Sequence, residues 1–123
     1  MGELAKRHCE PSAIDSLPLS EEVVITLYRQ LQEGWLIEEN HHLEKIYHFT
    51  TFAMALSFVN TIGMIAESQK HHPDIYLTWG KVMVTLFTHK MDGLSENDFI
   101  LADKIDEAYV KDFGGSDGEE KTQ

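Results

Sequence analysis

The sequence predicts an α+β domain in the order α-β-β-α-β-β-α: a four-stranded antiparallel sheet with three helices packed on one face. Three observations predict it. From Thr51 onward apolar side chains recur at helical spacing. Two stretches, Leu43 to Phe49 and Lys81 to His89, alternate with the period of two that marks a strand. The polar turn Glu39-Asn40-His41-His42 and the turn Trp79-Gly80 each join one of these stretches to a shorter strand-like neighbour.

In chain order, residues 1–16 mix Gly, Pro, Ser and charge without periodicity and are expected to form a flexible leader. A single domain should then occupy residues 17–113. Ser20 can cap a first helix whose opening turn carries Glu21 and Glu22, where the helix dipole favours negative charge. Val23, Leu27 and Leu31 follow at i, i+4 and i+8, and Gly34 ends the helix. Trp35-Leu36-Ile37-Glu38 reads as a short strand, paired as a hairpin with the alternating run Leu43, Lys45, Tyr47, Phe49.

The central helix has Phe52, Ala55, Leu56, Val59, Ile62, Gly63 and Ala66 as its expected inner stripe, with Gly63 admitting a close neighbour. It must stop near Gln69 or Lys70, because the residue before Pro73 avoids helical angles. Residues 74–78 suit a short strand. The next strand is apolar on both sides, Val82, Val84 and Leu86 against Met83, Thr85 and Phe87, which places it in the sheet interior. Ser95 and Asp98 have capping-box spacing at the start of the last helix, whose inner stripe is Phe99, Ala102, Ile105 and Tyr109. Residues 114–123 have nothing to bury and are expected to be disordered.

Composition narrows the functions. Ten basic against twenty-one acidic residues give a net charge of −11, which repels nucleic-acid phosphates and anionic lipid. No apolar run approaches the ~20 residues of a membrane span, and the first residues lack a secretory apolar segment, so a cytoplasmic protein is expected. Cys9 is the single cysteine, which rules out an internal disulfide and a Cys-rich zinc module; it is expected to be an exposed bystander. A small open sheet leaves strand edges unpaired, so a homo-oligomer, dimer or tetramer, is expected.

Chemistry should concentrate between Glu67 and Asp98. His71 and His72 precede Pro73, His89 closes the interior strand, and a carboxylate stands at each end of the group. Glu67 lies one helical turn before His71 and could orient its ring. Imidazoles give and take protons near neutrality, so convergence of the three would make an acid–base apparatus. Zinc or iron ligation and a purely structural role are the alternatives; adjacent histidines tend to diverge, unlike helical or strand ligand pairs. His8, His48 and the pair His41-His42 are read as structural or solvated.

The segment Glu67-x-x-x-His71-His72-Pro73, followed by Trp79, Lys81-Val82, Leu86, Thr88-His89, Gly93-Leu94 and Asp98, resembles the signature of the pterin-4a-carbinolamine dehydratases. Gly34-Trp35, Leu43-x-Lys45-x-Tyr47-x-Phe49, Phe52 and Ala66-Glu67 fall in the same family order, so the resemblance runs from about Leu17 to Val110. It implies an α+β fold, a dimer or tetramer, and dehydration of 4a-hydroxytetrahydropterin to quinonoid dihydropterin with no metal or organic cofactor. That reaction supports tetrahydrobiopterin recycling for aromatic amino acid hydroxylases. It further implies that His71, His72 and His89 are catalytic. The pterin would be held by Glu67, Pro73, Thr88, Lys90, Met91 and Asp98 together with those histidines. Relatives in animals also dimerise with a homeodomain transcription factor, and some family-like proteins are linked to molybdopterin metabolism; these are the alternative roles. Ile75 and Met83 depart from the family pattern at what would be the pocket rim.

Overall fold

The computed structural model describes residues 2–11 and 17–113. Its elements are α1 (Glu21–Tyr28), β1 (Leu36–Glu38), β2 (His42–His48), α2 (Phe52–Gln69), β3 (Asp74–Thr78), β4 (Lys81–Leu86) and α3 (Glu96–Phe113). Order and class are those read from the sequence.

All four strands pair antiparallel in the spatial order β1-β2-β4-β3, with β4 in the interior. The β1–β2 turn is tight: Glu39 and Asn40 both have positive φ, 52° and 56°, the primed geometry that matches strand twist. Register places Leu43 opposite Leu86 and Tyr47 opposite Val82, so these side chains and Val84 form one buried face beneath the helices. The opposite face carries the cross-strand row Ile46, Met83 and Tyr76, with Ile46 and Tyr76 exposed.

Ser20 caps α1, its Oγ accepting the Val23 N–H. The helix ends at Tyr28, short of the expected stop at Gly34, and the Tyr28 hydroxyl donates to the Trp35 carbonyl. Val24 and Leu27 face inward while Val23, expected on the inner stripe, is exposed; Leu31 packs against the core from beyond the end of the helix.

Thr51 caps α2 in the same way, with its Oγ1 accepting the Met54 N–H at 3.1 Å. The inner face of α2 is Ala55, Phe58, Ile62 and Ala66; Phe52 and Leu56, expected inside, point outward. Phe58 decides the rotation by entering an aromatic cluster, with ring centroids 4.8 Å from Tyr47 and 5.4 Å from Phe49. Among the described residues Gly63 lacks the expected close neighbour: a Cβ there would meet nothing within 4 Å.

The flexible leader is not what residues 2–11 form. Leu4–Lys6 is a 3-10 turn seated on α3, with Leu4 1% exposed. The Ala5 N–H donates to Asp103 Oδ2, and Lys104 Nζ donates to the Ala5 carbonyl, both at 2.8 Å. α3 is therefore covered by α2 and by this segment, which accounts for a continuous buried run from Asp98 to Asp103. Residues 12–16 and the tail 114–123, for which flexibility and disorder were expected, lie outside the described residues.

Asp106, 2% exposed, accepts from Trp35 Nε1, Lys45 Nζ and the Tyr47 hydroxyl at 2.6–2.8 Å. One carboxylate thus ties the inner face of β2 to α3. The burial of the Tyr47 phenol first, and the negative charge of Asp106 beside it second, push that phenol well above the ordinary tyrosine pKa.

Candidate active site

α2 ends because Lys70 adopts a left-handed conformation, φ 57° and ψ 37°, with its N–H and that of His71 both turned back to the Ala66 carbonyl. The chain therefore leaves the helix axis before His71. Helical i, i+4 spacing no longer applies, and Glu67 does not orient His71. Glu67 Oε2 instead lies 2.6 Å from His72 Nε2, a pair that is largely exposed.

The partner of His71 comes from the start of α3. His71 Nε2 lies 2.6 Å from Asp98 Oδ1, the ring only 11% exposed and the carboxylate fully buried. Asp98 Oδ2 accepts the Ser95 N–H and the Thr88 hydroxyl, both at 2.9 Å, while Thr88 Oγ1 and Ser95 Oγ lie 2.7 Å apart. The expected capping-box bond of Asp98 is present, and the second oxygen does something the box does not require. When a neutral His71 ring donates its Nε2–H to this carboxylate as a third donor, Nδ1 is the nitrogen left to accept.

β4 delivers Thr88 and His89 to the same place. Thr88 and Gly93 exchange backbone hydrogen bonds around a 3-10 turn at His89–Met91, closed by Asp92 at φ 52°. Gly93 has to be glycine: a Cβ would stand 2.8 Å from Pro18 Cβ and Cγ. His89 is exposed, its ring 4.3 Å from that of Phe87. Phe87 in turn meets His41 at 4.8 Å, and His41 Nε2 lies 2.8 Å from Asp92 Oδ1. The pair His41-His42 therefore braces the back of this turn.

These residues surround a cleft of about 390 Å³. His71, His72, Thr88, His89 and Lys90 line it. Asp98 and Glu67 stand behind it as partners of His71 and His72, while Pro73 and Met91 are not on its wall. Ile75 packs against the core and Met83 lies on the open sheet face, so neither departure from the family pattern touches the cleft. Among the described residues no three His, Cys, Asp or Glu side chains form a group that could hold a metal, and no helix is long and apolar enough to cross a membrane.

Six further lining residues were not among those expected from the sequence: Cys9, Glu10, Pro11, Gln69, Lys70 and Asn97. Cys9 is half-buried, and burial pushes its thiol up to about 11, so it is no exposed bystander. Short local patterns carry no trace of these residues. The apolar pair Leu4-Ala5 was the one available hint that the segment docks.

A helix end and a strand end present imidazoles to a common cleft, one of them bound to a carboxylate, in a small α+β protein. The model of the family "Pterin 4 alpha carbinolamine dehydratase" matches residues 17–108, and the chain belongs to that family. Relatives each named "Putative pterin-4-alpha-carbinolamine dehydratase" include one from Alkaliphilus metalliredigens, 48% identical over 86% of this chain and 96% of its own. Another, from Rubrobacter xylanophilus, is 47% identical over 86% and 98%. Among solved structures, a transcriptional coactivator/pterin dehydratase from Brucella melitensis matches with a TM-score of 0.68 at 28% identity, over 73% of this chain and 96% of that one. A pterin dehydratase-like RuBisCO assembly factor of the alpha-carboxysome shares the fold, with a TM-score of 0.54 at 20% identity over 62% and 89%.

Proposed function

We propose that the cleft dehydrates 4a-hydroxytetrahydropterin to quinonoid dihydropterin by histidine acid–base catalysis, supporting tetrahydrobiopterin recycling in the cytoplasm. The observation that carries this reading is the Asp98–His71 pair on the same cleft as His89. The elimination removes the N5 proton, forms the C4a=N5 bond and expels the 4a-hydroxyl as water. His71, with Nε2 committed to Asp98, acts as base or acid through Nδ1, and His89 handles the complementary proton. His72, whose ring is exposed and tied to Glu67, assists from the rim. Thr88 and Lys90 contact the pterin directly, while Pro73 and Met91 set the backbone that frames it. No metal or organic cofactor takes part in this scheme.

The test is the decay of 4a-hydroxytetrahydropterin with and without metal-free protein. Acceleration is expected, and His71→Ala and His89→Ala should each reduce it by ~10²–10⁴-fold. Full rates in both variants would refute the assignment.

A homo-oligomer belongs to the same reading, supported by the edge position of β3 and by Ile46 and Tyr76, exposed on the open sheet face. Light scattering that gives the monomer mass would overturn it. A second reading, a docking partner for another protein, is favoured by Phe52, Leu56 and Met64 exposed on α2. If α2 surface variants left dehydration intact and abolished a protein complex, that role would stand beside catalysis.

A further inference from the structure

We propose that residues 9–11 are a substrate-retaining wall of the cleft, and that Asn97 and Gln69 are positioning residues that clasp it there. This rests on the cleft being the pterin site. The segment is tied at both ends of its course over α3. Leu4 and Ala5 anchor it remotely, buried against α3, with Arg7 Nη2 2.5 Å from Glu96 Oε1 on the way. At the cleft the Asn97 carboxamide makes two bonds to one residue: Oδ1 accepts the Glu10 N–H at 2.9 Å, and Nδ2 donates to the Glu10 carbonyl at 2.6 Å. The Gln69 Oε1 accepts the Cys9 N–H at 2.8 Å.

Gln69 is the last residue of α2, two before His71, and Asn97 is adjacent to Asp98. The two amides that hold the wall therefore issue from the same two helix ends that hold the catalytic ring. Cys9, Glu10 and Pro11 face the space that His71 and His89 line, so a bicyclic ring seated there has to pack against them. None of the three lies within the described hydrogen bonds of His71, so the wall acts on binding and leaves proton transfer alone. A contact made alike in ground and transition states changes KM and not kcat.

Two variants and one protection experiment test this. Leu4→Ser unseats the segment from its anchor, outside the cleft; Asn97→Ala opens the clasp. Each should raise KM about tenfold with kcat within about threefold, the loss of one or two modest hydrogen bonds or one apolar anchor. The double variant should be no worse than the poorer single, since both release the same segment. In the unaltered chain, a stable 7,8-dihydropterin without the 4a-hydroxyl should slow alkylation of Cys9 at least tenfold. The refuting result is an alkylation rate unchanged by saturating dihydropterin, or KM unchanged in both variants, while the parent protein still binds and turns over pterin. A parent protein that neither binds nor dehydrates pterin would instead refute the dehydratase reading. Those two failures are separate, and the alkylation experiment needs no variant to fold.

Discussion

Asp98→Asn is the most informative single change, because it alters one atom in the group that holds His71. The carboxylate accepts from the Ser95 N–H, the Thr88 hydroxyl and His71. A carboxamide has a single oxygen. The orientation that keeps most bonds sets that oxygen on the Ser95 and Thr88 side and turns the NH2 group toward His71. His71 Nε2 must then accept, its proton moves to Nδ1, and the base of the proposed reaction is lost. All three contacts can persist, but the one to His71 reverses direction and loses its charge assistance, so stability should fall by about 1–2 kcal/mol, a Tm decrease of roughly 3–8 °C. Dehydration should fall much further, by ~10²–10⁴-fold in kcat. Urea unfolding and steady-state kinetics measure the two effects. Adding His71→Ala to Asp98→Asn should cost little more, because both remove one function. A folded Asp98→Asn protein with kcat within threefold of the parent would refute the tautomer argument.

Three other outcomes follow from the buried polar groups. Asp106→Ala leaves Lys45, Tyr47 and Trp35 without their common acceptor and should destabilise the fold by ~3–5 kcal/mol in urea titration. The Asp103 carboxyl is raised above its ordinary pKa, by desolvation first and by Asp106; its stabilising contribution is present below the ordinary carboxylate range and lost as pH rises through the raised value. Asp103→Asn keeps an acceptor for the Ala5 N–H, so it should match or exceed the parent's stability at pH 7, with the difference shrinking toward pH 3; a variant clearly weaker at pH 7 would contradict this. Cys9, at about 11 against 9.0 for an unperturbed thiol, should be alkylated about 100-fold more slowly than a free thiol at pH 8, with the rate climbing through pH 10.

What the sequence revealed tracks the range of the forces involved. Strand alternation, the cap at Ser20 and the halt before Pro73 are local, and the structure has them. The inner face of α2 is different: its apolar residues lie on more than one side, and the choice of Phe58 over Phe52 and Leu56 is made by Tyr47 and Phe49 on the sheet side. Asp98 was legible as a capping residue by its three-residue spacing from Ser95, but its tie to His71 spans 27 positions. The docked N-terminal segment depends on partners 60–99 positions away, Asp103, Asn97, Gln69 and Lys104, beyond the reach of any periodicity.

The double use of Asp98 ties the first turn of α3 to the seating of the His71 ring. Fraying of the first turn of α3 would release Ser95 and, in the same motion, let the imidazole swing free. A partly unwound molecule would therefore be idle, and warming should extinguish turnover as soon as amide exchange at Ser95 quickens, before the sheet itself begins to melt.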